Sequence, residues 1–116
     1  MEETRLGKVE VSLTAIANIV SQAVVESYGV VGMANKDLAS GIVQILQPAS
    51  HPRGVDIEIG DDCVTIDLYV VIEYGTRIAA VARNIQDVVK YTVEKALGVQ
   101  VVAVNVHVQD LRISTD

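Results

Sequence analysis

The residues with the most chemistry to offer are two histidines, one cysteine and one pair of adjacent acids, in a chain of 116 residues. None falls at a spacing that builds a site. No H-x-x-x-H, C-x-x-C or G-x-S-x-G string is present to set a ligand group or an activated nucleophile. His107 sits between Asn105 and Gln109 in an alternating segment, where a solvated polar row accounts for it. His51 belongs to Ser50-His51-Pro52, a loop. Asp61-Asp62 follows Gly60 and reads as turn chemistry, because no third carboxylate arrives at ligand spacing. Cys63 is alone, so neither an intramolecular disulfide nor a thiolate metal cluster can form; it reads as a small apolar residue at a strand start. Gly29-Val30-Val31-Gly32 matches the GXXG string with which KH domains clamp a nucleic-acid backbone. Its middle positions are valines and its nearest cation is Lys36, so it supplies amides without the positive side chains that phosphate contact needs. The expectation is a protein with no catalytic residue, no cofactor, no metal and no nucleic-acid partner.

The elements that hold these residues follow from periodicity. Lys8-Val9-Glu10-Val11 alternates and predicts a short first strand, after which Ser12 is placed to cap a helix. Leu13, Ile16, Ala17, Val20, Ala23 and Val24 recur at helical spacing up to a stop near Gly29. Leu38, Ile42, Ile45 and Leu46 predict a short helix opened by Asp37 and closed by Pro48. Val55, Ile57 and Ile59 alternate with acids, and beyond Gly60-Asp61-Asp62 the row Val64, Ile66, Leu68, Val70, Ile72 predicts the return strand of a hairpin. Ile78, Val81, Ala82, Ile85, Val88, Val89 and Ala96 form the stripe of a second main helix, stopped by Gly98. Val102, Val104, Val106 and Val108 then line the inner face of a last strand. The fold class is α+β: a two-layer sandwich in βαββαβ order, with a mixed four-stranded sheet and both main helices on one face, forming a single domain over residues 1–116.

Half the residues are hydrophobic but only four are aromatic, all tyrosine, so the core is built from Val, Ile, Leu and Ala. The net charge of −6 sets the chain against polyanions and anionic lipid, since its nine basic residues do not cluster. Met1-Glu2-Glu3 is acidic where a signal peptide is basic, and the uncharged stretches fall short of the roughly 20 apolar residues that span a bilayer. A cytoplasmic protein without direct membrane insertion is expected. Two surfaces stand out as contacts: the first is depleted of charge, and the second mixes apolar residues and a tyrosine with acids. One is the outer face of the first helix, with Asn18, Ser21, Gln22 and Val25. The other is the open sheet face, with Tyr69, Val71, Val101 and Ala103. These eight residues are the candidate protein contacts.

Val64-Thr65-Ile66-Asp67-Leu68-Tyr69-Val70-Val71-Ile72-Glu73-Tyr74-Gly75, with Val104-Asn105-Val106-His107-Val108-Gln109 after the second helix, resembles the alkaline shock protein family of Gram-positive bacteria, the envelope stress response proteins. Tyr28-Gly29-Val30-Val31-Gly32-Met33 and Arg53-Gly54-Val55 resemble the same family, in particular its short members without long charged tails. Asp110 departs from the glycine usual after the Val-Gln pair. The resemblance implies a non-enzymatic protein of cell-envelope homeostasis that self-associates, a homo-oligomer held at the membrane, where it is held at all, by a membrane-embedded anchoring protein. It brings no catalytic residues with it. A second reading is an accessory or regulatory subunit of a cytosolic enzyme in lipid or envelope precursor metabolism, and a third is a small-molecule binding domain using the space between helices and sheet.

Overall fold

Every pairing in the main sheet passes through one strand. In the computed structural model, which describes residues 2–4, 7–9, 12–36, 43–61 and 63–113, that strand is β5 (Cys63–Glu73). The other elements are β1 (Glu2–Thr4), β2 (Gly7–Val9), α1 (Leu13–Val25), β3 (Val30–Met33), a 3₁₀ helix (Pro48–Gly54), β4 (Val55–Ile59), α2 (Ile78–Leu97) and β6 (Gln100–Arg112). Along one edge of β5, β4 pairs antiparallel with Val64–Leu68, and β3 pairs antiparallel with Val70–Ile72. The two short strands thus share one edge, end to end. Along the other edge β6 runs parallel from Cys63 to Glu73, which makes the sheet mixed.

The α+β class and the two layers stand, while the element order differs from βαββαβ at its start. Gly7–Val9 forms a strand, but it pairs only with β1 in a separate two-stranded ribbon; Glu10 and Val11 lie outside the described residues. The place on β5 goes to β3 instead. Gly29, at φ +83°, turns the chain back directly after α1, and its carbonyl accepts the Glu73 amide at 2.8 Å, so Val30–Met33 is delivered to the edge of β5. Asp37, Leu38 and Ile42 of the expected short helix lie outside the described residues. Ile45 and Leu46 are not helical: Ile45 bridges to Ala34, and the Leu46 amide donates to the Met33 carbonyl at 2.8 Å. Pro48 opens the 3₁₀ helix rather than closing an α-helix, a position where its missing N–H costs nothing.

The helices form where the spacing predicts, although Leu13, Ile78 and Ala96 of the expected stripes are exposed and Val93 takes a core position. The Ser12 hydroxyl accepts the Ala15 amide at 3.1 Å and caps α1. Gly98, at φ +70°, ends α2. Ile16, Val20 and Val24 of α1, and Val81, Ile85, Val89 and Val93 of α2, pack on Val64, Ile66, Leu68, Val70 and Ile72 of β5 in one cluster. Both helices therefore cover the same face.

The last strand carries two irregularities. Val64 pairs with Val101 but Thr65 with Ala103, so Val102 is an extra residue in the ladder, and Gln109 is another. The first bulge resets the alternation. Val101 turns into the core at 2% exposure and Val102 faces outward at 54%, the reverse of what an unbroken Val102/Val104/Val106/Val108 row requires.

Candidate functional site

The open face of the sheet is built from the alternate residues of β4, β5 and β6. Its centre is a cross-strand row in which Asp56, Asp67 and Asn105 stand abreast, with Tyr69 and His107 abreast in the next row on β5 and β6. The Asp67 carboxylate accepts from Asn105 Nδ2 at 3.2 Å and lies 2.9 Å from His107 Nε2. A carboxylate only accepts, so Nε2 carries the proton. The imidazole lies flat on the Tyr69 ring, with centroids 4.6 Å apart and planes 11° from parallel. Asp56 is answered separately by Lys36, whose ammonium donates to both carboxylate oxygens at 2.9 and 3.1 Å. That hydrogen bond, and the attraction of the carboxylate behind it, hold the Lys36 pKa above the ordinary lysine value.

The row has the parts of an Asp–His pair without a group for it to activate. Among the described residues, no hydroxyl or thiol hydrogen-bonds to the imidazole, and no three His, Cys, Asp or Glu side chains are grouped to hold a metal ion. The arrangement fixes an aromatic and an imidazole ring on a half-exposed polar plateau. At the far end of this face, Gln109 Nε2 donates to the Asn35 carbonyl at 3.1 Å and Arg112 Nη2 to the Val43 carbonyl at 2.8 Å. These bonds tie the chain on either side of residues 37–42 to the open face.

The eight candidate contacts divide. Asn18 and Gln22 are exposed on α1, Gln22 donating to Glu26 at 2.7 Å. Val25 is half-buried against the core. Ser21 is buried at 2% and donates to the Asn18 carbonyl at 3.1 Å, on the flank of the helix that faces inward rather than on its outer face. Tyr69 and Ala103 are partly exposed on the open sheet face, as expected. Val71 lies on that face but is fully buried, at the end where it pairs with Gly32, against which Ile45 packs. Val101 is in the core because of the bulge at Val102. Ser21, Val71 and Val101 therefore offer no free surface, and the two sets lie on opposite layers of the sandwich.

Several surface residues escaped the sequence reading. Ile19 is 44% exposed beside Asn18 and Gln22, so the uncharged face of α1 also carries a large apolar side chain, while Leu13, on the inward stripe, is 50% exposed at the first turn of the helix. Leu13 and Thr14 flank an open groove of about 420 Å³ whose other wall includes Pro52 and Ile57. The signal for Ile19 was present in its position off the Ile16/Val20/Val24 stripe. Tyr28 and Tyr74, each just before a positive-φ glycine, are 77% and 67% exposed, and the Glu73–Gly29 hydrogen bond brings their two turns together. No helix among the described residues is long and apolar enough to cross a membrane.

A model of the alkaline shock protein 23 family, described by a cell envelope-related function, matches residues 1–113. Among similar proteins, YloU of Bacillus subtilis (strain 168), an uncharacterized protein, is 38% identical over 96% of this chain and 93% of its own length. The uncharacterized protein Spy1614 of Streptococcus pyogenes serotype M6 is 35% identical over 95% of this chain and 92% of its own. A stress response regulator gls24 homolog of Streptococcus pyogenes serotype M3 is 28% identical over 84% of this chain, which spans 54% of that protein. None of the solved structures matches the chain.

Proposed function

The chain belongs to the alkaline shock protein 23 family, with its cell envelope-related function, and from that premise we propose that it is a non-enzymatic envelope stress protein that works by self-association and by contact with other proteins, one of them a membrane-embedded anchor. The observation that carries this reading is the outer face of α1. Thr14, Asn18, Ile19 and Gln22 are exposed there without a charge among them, in a chain whose net charge is −6. An uncharged, partly apolar helix face is the composition of an interface rather than of a solvated surface. Kinship with proteins described as stress response regulators supports the assignment to stress. The acidic surface gains nothing from anionic lipid, so recruitment to a membrane falls to a protein.

The test is affinity recovery from solubilised membranes with the native chain and with Ile19→Glu. Recovery of one integral membrane protein by the native chain, lost with Ile19→Glu while the melting temperature is kept, is the expected result. A turnover activity of the purified chain that a single substitution abolishes would overturn the reading, as would recovery that is indifferent to Ile19→Glu.

A further inference from the structure

We infer that a second copy of this chain pairs with the outer edge of β6, antiparallel and centred on His107, which joins two sheets into one. This rests on the self-association proposed above and assigns it a surface. β6 pairs with β5 and with no other strand among the described residues, so one edge of the strand carries no partner strand.

Which backbone groups that edge presents follows from the ladder. The Tyr69 carbonyl accepts from Ala34 and the Glu73 amide donates to Gly29, so the odd-numbered groups of β5 face β3 and β4. The Tyr74 amide donates to the Arg112 carbonyl, so the even-numbered groups face β6. In a parallel pair the strand neighbour then directs Ala103, Asn105 and His107 toward β5, and Val104, Val106 and Val108 away from it. The Gln86 side chain agrees, reaching the Val104 carbonyl from outside at 2.9 Å.

Among the described residues, the edge is guarded at both ends and open in the middle. Glu94 accepts the Val101 amide at 3.0 Å, Gln86 occupies the Val104 carbonyl, and Asp110 accepts the Leu111 amide at 2.8 Å. Between these caps Val106 and Val108 direct their amides and carbonyls outward, beyond the reach of those three side chains. Proteins keep free edges from pairing with charge, proline or bulges. Here Val99–Gln109 contains no proline and no charged residue, and the bulges stand at Val102 and Gln109, outside the open stretch.

The occupant is a second copy because the stretch is its own complement. Antiparallel pairing about His107 sets Val106 against Val108 twice, giving four backbone hydrogen bonds, and sets Asn105 against Gln109 on the open face. Each partner brings a charge of −6, so two copies approach with least repulsion along an uncharged strip.

The test uses the full chain with Cys63→Ser, so that its single native thiol is removed. His107 would be a non-hydrogen-bonded pair with its counterpart, with Cα atoms about 4.5 Å apart, close enough for a disulfide. Adding His107→Cys is expected to give a covalent dimer under mild oxidation. Adding Asn105→Cys instead is expected to give none, because its counterpart lies about 13 Å away at roughly 3.3 Å per residue. Val106→Pro, which removes an amide that faces water in the monomer, is expected to lower self-association by at least tenfold in sedimentation equilibrium while the helical circular dichroism is kept. A native chain that dimerises while His107→Cys fails to cross-link and Val106→Pro has no effect would overturn this edge but leave self-association standing. A native chain that stays monomeric at high micromolar concentration would overturn both.

Discussion

Asp56 and Asp67 stand directly opposite each other on β4 and β5, and each is hydrogen-bonded by a different partner: Lys36 at 2.9 Å for the first, His107 at 2.9 Å for the second. Like charges facing each other across an antiparallel pair are destabilising, so these partners let a row of acids sit on a sheet. Both arrive from outside the β4–β5 hairpin. Lys36 comes from the segment after β3 and His107 from β6, and the open face is therefore stitched across all of its strands.

Removing Lys36 should make that confrontation visible. Lys36→Met is expected to lower the urea midpoint slightly at pH 7, and Asp56→Asn in the same chain to recover most of the loss, since the second change removes the repulsion that the first exposed. The folded pKa of Lys36 lies above its unfolded value, so its contribution is complete below about pH 10 and is lost as the pH rises through the folded pKa. The difference between native and Lys36→Met should therefore shrink in strong alkali. A double-mutant cycle followed against pH measures it.

Asp110 gives the opposite sign. Its carboxylate accepts from Arg112 Nε at 2.9 Å and from the Leu111 amide, and these bonds, the arginine first, hold its pKa below the ordinary carboxylate value. The stabilisation is present above the unfolded pKa of about 4 and is lost as the pH falls through the folded one. Asp110→Asn should be less stable than the native chain at pH 7 and converge with it in strong acid, as followed by acid unfolding curves.

Gly29 has no tolerance for a side chain. At φ +83° a Cβ would lie 2.7 Å from Val81 Cγ2, on the helix that packs over the sheet. Gly29→Ala is expected to lose about 1–3 kcal/mol from the backbone conformation alone, with the overlap added. Calorimetry should show a fall in melting temperature on the order of 4 °C for each kcal/mol. Gly98→Ala, with positive φ but open space around it, separates the two causes and should fall less.

Purified chain mixed with anionic vesicles should remain in the supernatant on co-sedimentation at physiological salt. With nine basic residues against fifteen acidic ones, it lacks the polybasic cluster that draws a protein to such a surface. Substantial pelleting that falls away with added salt would contradict the need for a protein anchor.

The sequence is most legible where its pattern has one solution. The central turns of the α1 and α2 stripes, the β4–β5 hairpin and the stop at Gly98 are as the spacing predicts, because polar and apolar residues there alternate with a clear phase, whereas Leu13, Ile78 and Ala96 at the ends of the stripes are exposed. Val101-Val102-Ala103-Val104 has no phase: either neighbour can face inward, so the pattern does not reveal the bulge at Val102 and puts Val101 on the wrong side. β3 is four residues long with a glycine inside it, too little for periodicity, whereas Lys8–Val11 alternates well and yet its described residues, Lys8 and Val9, pair only with β1. Strand pattern reports a face to bury; it does not report which neighbour will bury it. The Asp67–His107 contact is hidden for the same reason, since 40 residues separate the two and only the parallel register brings them level.

The shared edge of β5 has a consequence for how the molecule comes apart. With β3, β4 and β6 each bonded to that strand and to no other member of the four, there is no partial sheet that could survive its release. Peeling away any outer strand leaves a smaller sheet intact, but freeing the central one leaves none. Its amides should exchange with solvent only through global opening, and the parallel union with β6, reached only after the whole of α2 has been laid down, sets a slow closing step in refolding.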